Sequence, residues 1–282
     1  MKGAGPTKTS RTHWKGYSMQ RFALALLSTT VLGAGFVQVA SAADMPARGR
    51  APAYQPPMAA PYSNWSGFYL GGSLGGRWSD LDWTTTIAPV AIGPSSPATY
   101  DSSSFRAGIY GGVNFQLSPM IVAGIEADIG WADNESTRTG IPGLSTTVDR
   151  TSVRQNWDGS VVGRLGVLVT PATLLYAAGG VSWIDVESNT NCSVAGGFCL
   201  AARNQTNETT RTGWTVGGGI EHMLAGNWLA RIDYRFADYG KIDNTFFAGT
   251  ADAFTLREDL RTHTAKVGLA YKFGGGPVYA KY

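Results

Sequence analysis

The stretch Ile121-Val-Ala-Gly-Ile-Glu-Ala-Asp-Ile-Gly-Trp131 holds the most diagnostic pattern in the chain. Its odd positions are Ile121, Ala123, Ile125, Ala127, Ile129 and Trp131. Its even positions include Gly124, Glu126, Asp128 and Gly130. Strict period-two alternation predicts a β-strand with one apolar face and one charged or tiny face. The same pattern recurs along the chain. Trp228, Ala230, Ile232, Tyr234 and Phe236 oppose Arg231, Asp233 and Arg235. Val161, Gly163, Leu165, Val167 and Val169 oppose Arg164, and Val267, Leu269, Tyr271 and Phe273 oppose Lys266, Gly268, Ala270 and Lys272.

Eight such segments are expected, at 65–78, 104–117, 120–131, 153–169, 174–185, 210–224, 228–239 and 259–273. Their connections alternate in length. Long polar loops are expected at 79–103, 132–152, 186–209 and 240–258. Tight turns are expected at Ser118-Pro119, Thr170-Pro-Ala-Thr173 and Ala225-Gly-Asn227. Long loops at one end and short turns at the other are the rhythm of an outer-membrane barrel.

Either face could point outward. A soluble barrel would bury the apolar face; a membrane barrel would turn it to lipid. Gly108, Gly112, Gly124, Gly130, Gly166, Gly217, Gly219 and Gly268 share the charged parity. Glycine weakens a strand and has no use on a solvated face. A narrow eight-strand lumen, crowded by its own side chains, does need it. The aromatics agree. Trp78, Trp131, Trp157, Trp183 and Trp214 fall near the long-loop ends, while Trp65, Trp228, Tyr271 and Phe273 fall near the opposite ends. Two aromatic girdles around an apolar band mark a membrane barrel. The fold class expected is therefore all-β, an eight-stranded antiparallel up-and-down transmembrane barrel over 64–273.

Composition fits. The 282 residues include 37 Gly, are 43% hydrophobic and only 15% charged. This is well under the charge of an ordinary soluble domain, about 25%. Outside the N-terminus no apolar run is long enough for a membrane helix. Residues 1–42 read as a secretory signal with a basic start, an apolar stretch and an Ala40-Ser-Ala42 site, so cleavage is expected between Ala42 and Ala43. Met19 is an alternative start. The leader carries five bases and no acids, leaving 18 bases against 20 acids, a net charge of −2. The basic balance is thus a property of the leader and gives no reason to expect a nucleic-acid partner. Residues 43–63 hold five of the thirteen prolines and read as a periplasmic linker. Residues 274–282 form a C-terminal extension.

The candidate functional residues are mostly those assigned to the lumen: Arg106, Glu126, Asp128, Arg164, Glu221, Arg231, Asp233, Arg235, Lys266 and Lys272. Confined charges should pair, because an unpaired buried charge is costly. The network reads either as a salt-bridged plug or as the constriction of an ion path. Cys192 and Cys199, in the third long loop of a secreted chain, should form a disulfide. His222 and His263 lie on the apolar parity near strand ends, where no nucleophile is placed beside them. No phosphate loop, zinc spacing or dinucleotide fingerprint appears, so no catalytic residue, metal or cofactor is assigned.

Several segments carry a resemblance. Lys266-Val-Gly-Leu-Ala-Tyr-Lys-Phe273 looks like the C-terminal signal read by the outer-membrane assembly machinery. Trp65-Ser-Gly-Phe-Tyr-Leu-Gly-Gly, Gly111-Gly-Val-Asn-Phe-Gln116, Gly124-Ile-Glu-Ala-Asp128 and Ala42-Ala-Asp44 are familiar too. Together they resemble the small outer-membrane β-barrel proteins of alphaproteobacteria, the porin-family or outer-membrane immunogenic protein group. The tail after Phe273 departs from that pattern and leaves Phe273 or Tyr282 as the recognised end. The resemblance implies a barrel at the cell surface with a mainly structural role, in contact with outer-membrane lipid and lipopolysaccharide. Pore activity and haem binding are attributed to some members; neither is written in these residues. A narrow diffusion pore, surface ligand capture by the long loops and a lipid-directed enzyme stay open as alternatives.

Overall fold

The computed structural model describes residues 64–195 and 197–274. The signal, its Ala42/Ala43 site, the linker and most of the C-terminal extension lie outside them. Among the described residues nine strands are present: β1 (Gly67–Ile87), β2 (Ala98–Thr99), β3 (Ser102–Gln116), β4 (Ile121–Ile141), β5 (Ser145–Thr170), β6 (Thr173–Cys192), β7 (Arg203–Met223), β8 (Trp228–Phe246) and β9 (Phe254–Phe273). Strand β2 is a two-residue flap on β1. The eight long strands pair in chain order, all antiparallel, and β1 pairs with β9 from Phe68↔Phe273 to Ile87↔Thr255. The sheet closes on itself, so the backbone bonds of the wall are satisfied within it and no membrane-level edge remains.

The apolar parity faces outward. Leu70 and Leu74 on β1, Ile125 on β4, Leu165 on β5, Ile232 on β8 and Leu269 on β9 are all exposed, while Glu126, Arg164, Asp233 and Lys266 between them are buried. This is the membrane alternative; a soluble barrel would show the reverse.

The wall is taller than expected. Much of the sequence read as long polar loops is strand: β1 continues to Ile87, β4 to Ile141, and β5 starts at Ser145. These segments escape a search for outward apolar residues because the pattern inverts. On β1 the outward residues change from Leu70, Leu74 and Trp78 to Asp80 and Asp82. The inward ones change from Ser73 and Arg77 to Leu81 and Trp83. On β9 the outward Val267 and Leu269 give way to Arg257 and Arg261, and Leu256 and Leu260 turn inward. Below the inversion the wall meets lipid; above it the wall meets water and encloses an ordinary apolar core. Register shifts in the β4–β5, β5–β6 and β8–β9 pairings fall at this level. Bulges there change the parity of a strand.

Two interior clusters result. The lower contains Trp65, Tyr69, Tyr110, Val122, Leu174 and Tyr176. The upper contains Leu81, Trp83, Tyr100, Ile184, Phe246, Phe254 and the half-cystines Cys192 and Cys199. The disulfide closes a seven-residue separation at the end of β6, buried in this upper core. Asp149 holds the loop down by accepting the Ser193 and Phe198 N–H groups at 2.7 and 3.0 Å.

Candidate functional site

Between the two apolar clusters lies the charged lumen. Alternation alone delivers its residues: β8 turns Arg231, Asp233 and Arg235 inward, and β4 turns Glu126 and Asp128 inward. Glu126 is the hub. It lies 2.5 Å from Arg231, 2.7 Å from Arg235 and 3.2 Å from Arg164, and it accepts the Tyr69 hydroxyl at 2.8 Å. Arg164 also reaches Glu221 at 3.1 Å. A second group forms beside the first. Asp128 binds Arg106 at 2.5 Å and Lys266 at 2.9 Å, and Arg106 continues to Asp158 at 2.7 Å. Asp233 lies near Lys266 and Arg235 and accepts the Tyr176 hydroxyl at 2.6 Å. Guanidinium planes cover phenol rings, Arg231 over Tyr110 at 3.4 Å and Arg164 over Tyr176 at 4.0 Å. Cation–π contacts of this kind strengthen when water is excluded.

The glycines on the lumen parity make room for these side chains. A Cβ on Gly112 would stand 2.5 Å from the Tyr69 hydroxyl oxygen, and one on Gly268 would stand 2.8 Å from that of Tyr110. A Cβ on Gly130 would run into the Arg106 guanidinium. Long side chains lie flat across neighbouring strands only where those strands carry no side chain of their own. The space left among Arg106, Asp128, Asp158, Arg235 and Lys266 is about 20 Å³, about one water.

Nine of the ten residues assigned to the lumen charge network lie in these two groups. Lys272 does not. It is buried nearer the lower mouth, where its ammonium donates to the Asn64 carbonyl. Several network members were not assigned from the sequence. Arg77, which binds Asp158 at 2.7 Å, Asp158 itself and the tyrosines Tyr69, Tyr110 and Tyr176 all lie on the inward parity of their strands. The tyrosines share parity with glycines such as Gly71, Gly112 and Gly180, and that was the signal available for them; Arg77 and Asp158 were legible as charges on the inward parity. The pair Arg211 and Glu258, fully buried against each other, was hidden in segments read partly as loop.

Of the residues assigned to the girdles, Trp78, Trp131 and Trp214 are exposed at the upper level, and Trp228, Tyr271 and Phe273 at the lower. Trp228 meets Tyr271 edge-on at 5.4 Å between ring centroids, and Tyr271 meets Phe273 at 5.1 Å. Trp157 and Trp183 are half-buried. Trp65 is a correction. It is 0% exposed and closes the lower mouth from inside, its indole N–H donating to the Pro171 carbonyl at 3.1 Å. It precedes β1, so strand parity does not govern where its ring points. His222 and His263 lie toward the outside, bonded to the Thr173 and Tyr234 hydroxyls at 2.9 and 2.7 Å.

Residues 31–273 match the family model described as outer membrane protein beta-barrel domain. The 31 kDa outer-membrane immunogenic protein of Brucella melitensis biotype 1 is 29% identical over 228 residues, 77% of this chain and 88% of that protein. The 25 kDa outer-membrane immunogenic protein of Brucella abortus biovar 1 is 30% identical over 224 residues, 78% of this chain and 86% of that protein. Among solved structures, the outer membrane protein OprG from Pseudomonas aeruginosa aligns over 74% of this chain and 97% of its own, with 12% identity and a TM-score of 0.46. The closed strand order, the outward apolar band, the family model and the Brucella relatives agree: the chain belongs to the outer-membrane β-barrel family, and it is an integral protein of the outer membrane.

Proposed function

We propose that this barrel is a sealed element of the envelope, whose work is to brace the outer membrane and present a rigid surface. One observation carries the reading. The lumen at the membrane level is occupied by mutually paired charges, and the gap beside Arg106, Asp128, Arg235 and Lys266 is about 20 Å³. Above it, the apolar cluster around Trp83 and Phe254 fills the interior a second time. An eight-stranded barrel is only just wide enough for its own side chains, and here they use the space. A catalytic role has little to support it. His222 has no carboxylate partner among the described residues; His263 has exposed Asp80 3.8 Å from one ring nitrogen, but the hydroxyl at its other is the Tyr234 phenol, not a serine or threonine nucleophile. We assign residues 1–42 as the export signal, 43–63 as the linker, and β9, ending on Phe273, as the segment that the assembly machinery reads.

The test is electrical. Purified, refolded protein in planar bilayers should stay silent at protein levels where an open porin gives steps. Reproducible unitary steps from the wild-type protein would refute the plug and establish the pore.

A further inference from the structure

Pairing between β3 and β4 stops at Ala107↔Trp131, yet β4 runs on to Ile141. Above that level the wall has a seam. The seam is bridged by the segment between β1 and β3, whose Gly93 N–H donates to the Gly143 carbonyl at 2.7 Å. Between segment and strand lies a cleft of about 90 Å³, lined by Ser95, Ala98, Tyr100, Arg138 to Pro142, and Ser145. We propose that this cleft binds a small anionic group, a carboxylate or a phosphate, presented from outside the cell.

The chemistry of the lining points one way. It contains no carboxylate. Arg138 has inward parity but is exposed because the seam is open beside it, and it stands 5.4 Å over the Tyr100 ring. No acid pairs with it among the described residues. Arg106 and Arg164 in the lipid-level wall and Arg154 above it each have a carboxylate partner, whereas Arg150, also unpaired among the described residues, is exposed on the outer side of β5, away from the cleft. The two serines are set as donors. Ser95 Oγ accepts the Gly143 N–H at 2.9 Å, and Ser145 Oγ accepts the Ile141 N–H at 3.2 Å. With a lone pair of each engaged, each hydroxyl proton is available for an acceptor. A guanidinium and two hydroxyl donors around one cleft suit an anion and reject a cation. The volume admits a group of several heavy atoms, more than one water needs.

The anion could come from the cell's own lipopolysaccharide or from a soluble molecule in the surroundings. The experiment uses the full barrel in lipopolysaccharide-free detergent, titrated with galacturonate, inorganic phosphate and galactose by calorimetry. The proposal expects one of the anions to bind and galactose not to. It expects Arg138→Gln to weaken that binding about tenfold to a hundredfold, the worth of a charge-assisted hydrogen bond. Ser145→Ala should weaken it by less. Arg150→Gln, which removes an exposed charge from the outer side of the neighbouring strand, should leave binding unchanged. A second titration with protein carrying co-purified lipopolysaccharide separates the sources. Competition there assigns the cleft to the lipid's acidic sugars or phosphates, and undiminished binding assigns it to a soluble ligand. No binding of either anion, equal binding of galactose, or loss of binding equally in Arg150→Gln would overturn the proposal. A heat-dependent gel shift retained in each variant shows that the barrel has folded.

Discussion

Glu126→Gln is the sharpest test of the lumen. The substitution keeps the volume and removes the charge at which three guanidiniums converge, from Arg164, Arg231 and Arg235. It also leaves the Tyr69 hydroxyl facing an amide in place of a carboxylate. Hydrogen bonds to a charged group contribute about 1.5–3 kcal/mol each, but these share one acceptor and do not add. Breaking a buried ion pair by neutralising one partner costs about 3–5 kcal/mol. That figure is the better guide, because the cost is three cations left with too little counter-charge. It corresponds to a change of roughly two to four orders of magnitude in the unfolding equilibrium constant. The assay is equilibrium urea unfolding of the refolded barrel in detergent or lipid, read by tryptophan fluorescence. A cycle with Arg235→Gln should show strong coupling, the double variant losing less than the sum of the singles. A loss below about 1 kcal/mol without coupling would mean that the charges are screened as exposed pairs are. The lumen would then be water-filled, and the sealed-barrel reading would fail with it.

Leu165→Arg, on the outward face of β5 at the level of Arg164, should destabilise the barrel by about 2–4 kcal/mol in a bilayer; insertion efficiency unchanged from wild type would contradict the outward apolar band. Gly112→Ala places a Cβ against the Ile125 carbonyl and 2.5 Å from the Tyr69 hydroxyl, and overpacking should cost about 1–3 kcal/mol, seen as a lower temperature for the heat-dependent gel shift. Replacing Cys192 and Cys199 by serine should remove about 2–3 kcal/mol from the upper core on the chain-entropy account. Protease should then cut between them on intact cells while the membrane-level wall keeps its gel shift.

Much of the fold was legible in the residues because a membrane barrel leaves little choice. Lipid demands an outward apolar residue at every second position, and the enclosed backbone must pair with its neighbours. Ile121 to Trp131 and Trp228 to Phe236 state that rule without help from the rest of the chain. The glycines sharing parity with Glu126 and Arg164 even gave the sense of the alternation, since only a crowded interior needs them. Above the upper tryptophans the rule changes. There both sides of the wall follow ordinary solubility, and Leu81, Trp83 and Leu256 turn inward opposite outward Asp80, Asp82 and Arg257. Such a segment looks like a polar loop to a search tuned for lipid.

The charges were identifiable one at a time, but their partners were not. That Glu126 would meet Arg231 and Arg235, more than a hundred residues away, depends on closure between β1 and β9 and on the stagger of every pair around the ring. Trp65 shows the same limit from the other side. Its type suited a girdle, but it lies just before the first strand, and a lower mouth that needed filling drew it inside. Local alternation decides which face a residue takes. Only the closed ring decides what it faces across the lumen, because that depends on all eight registers at once.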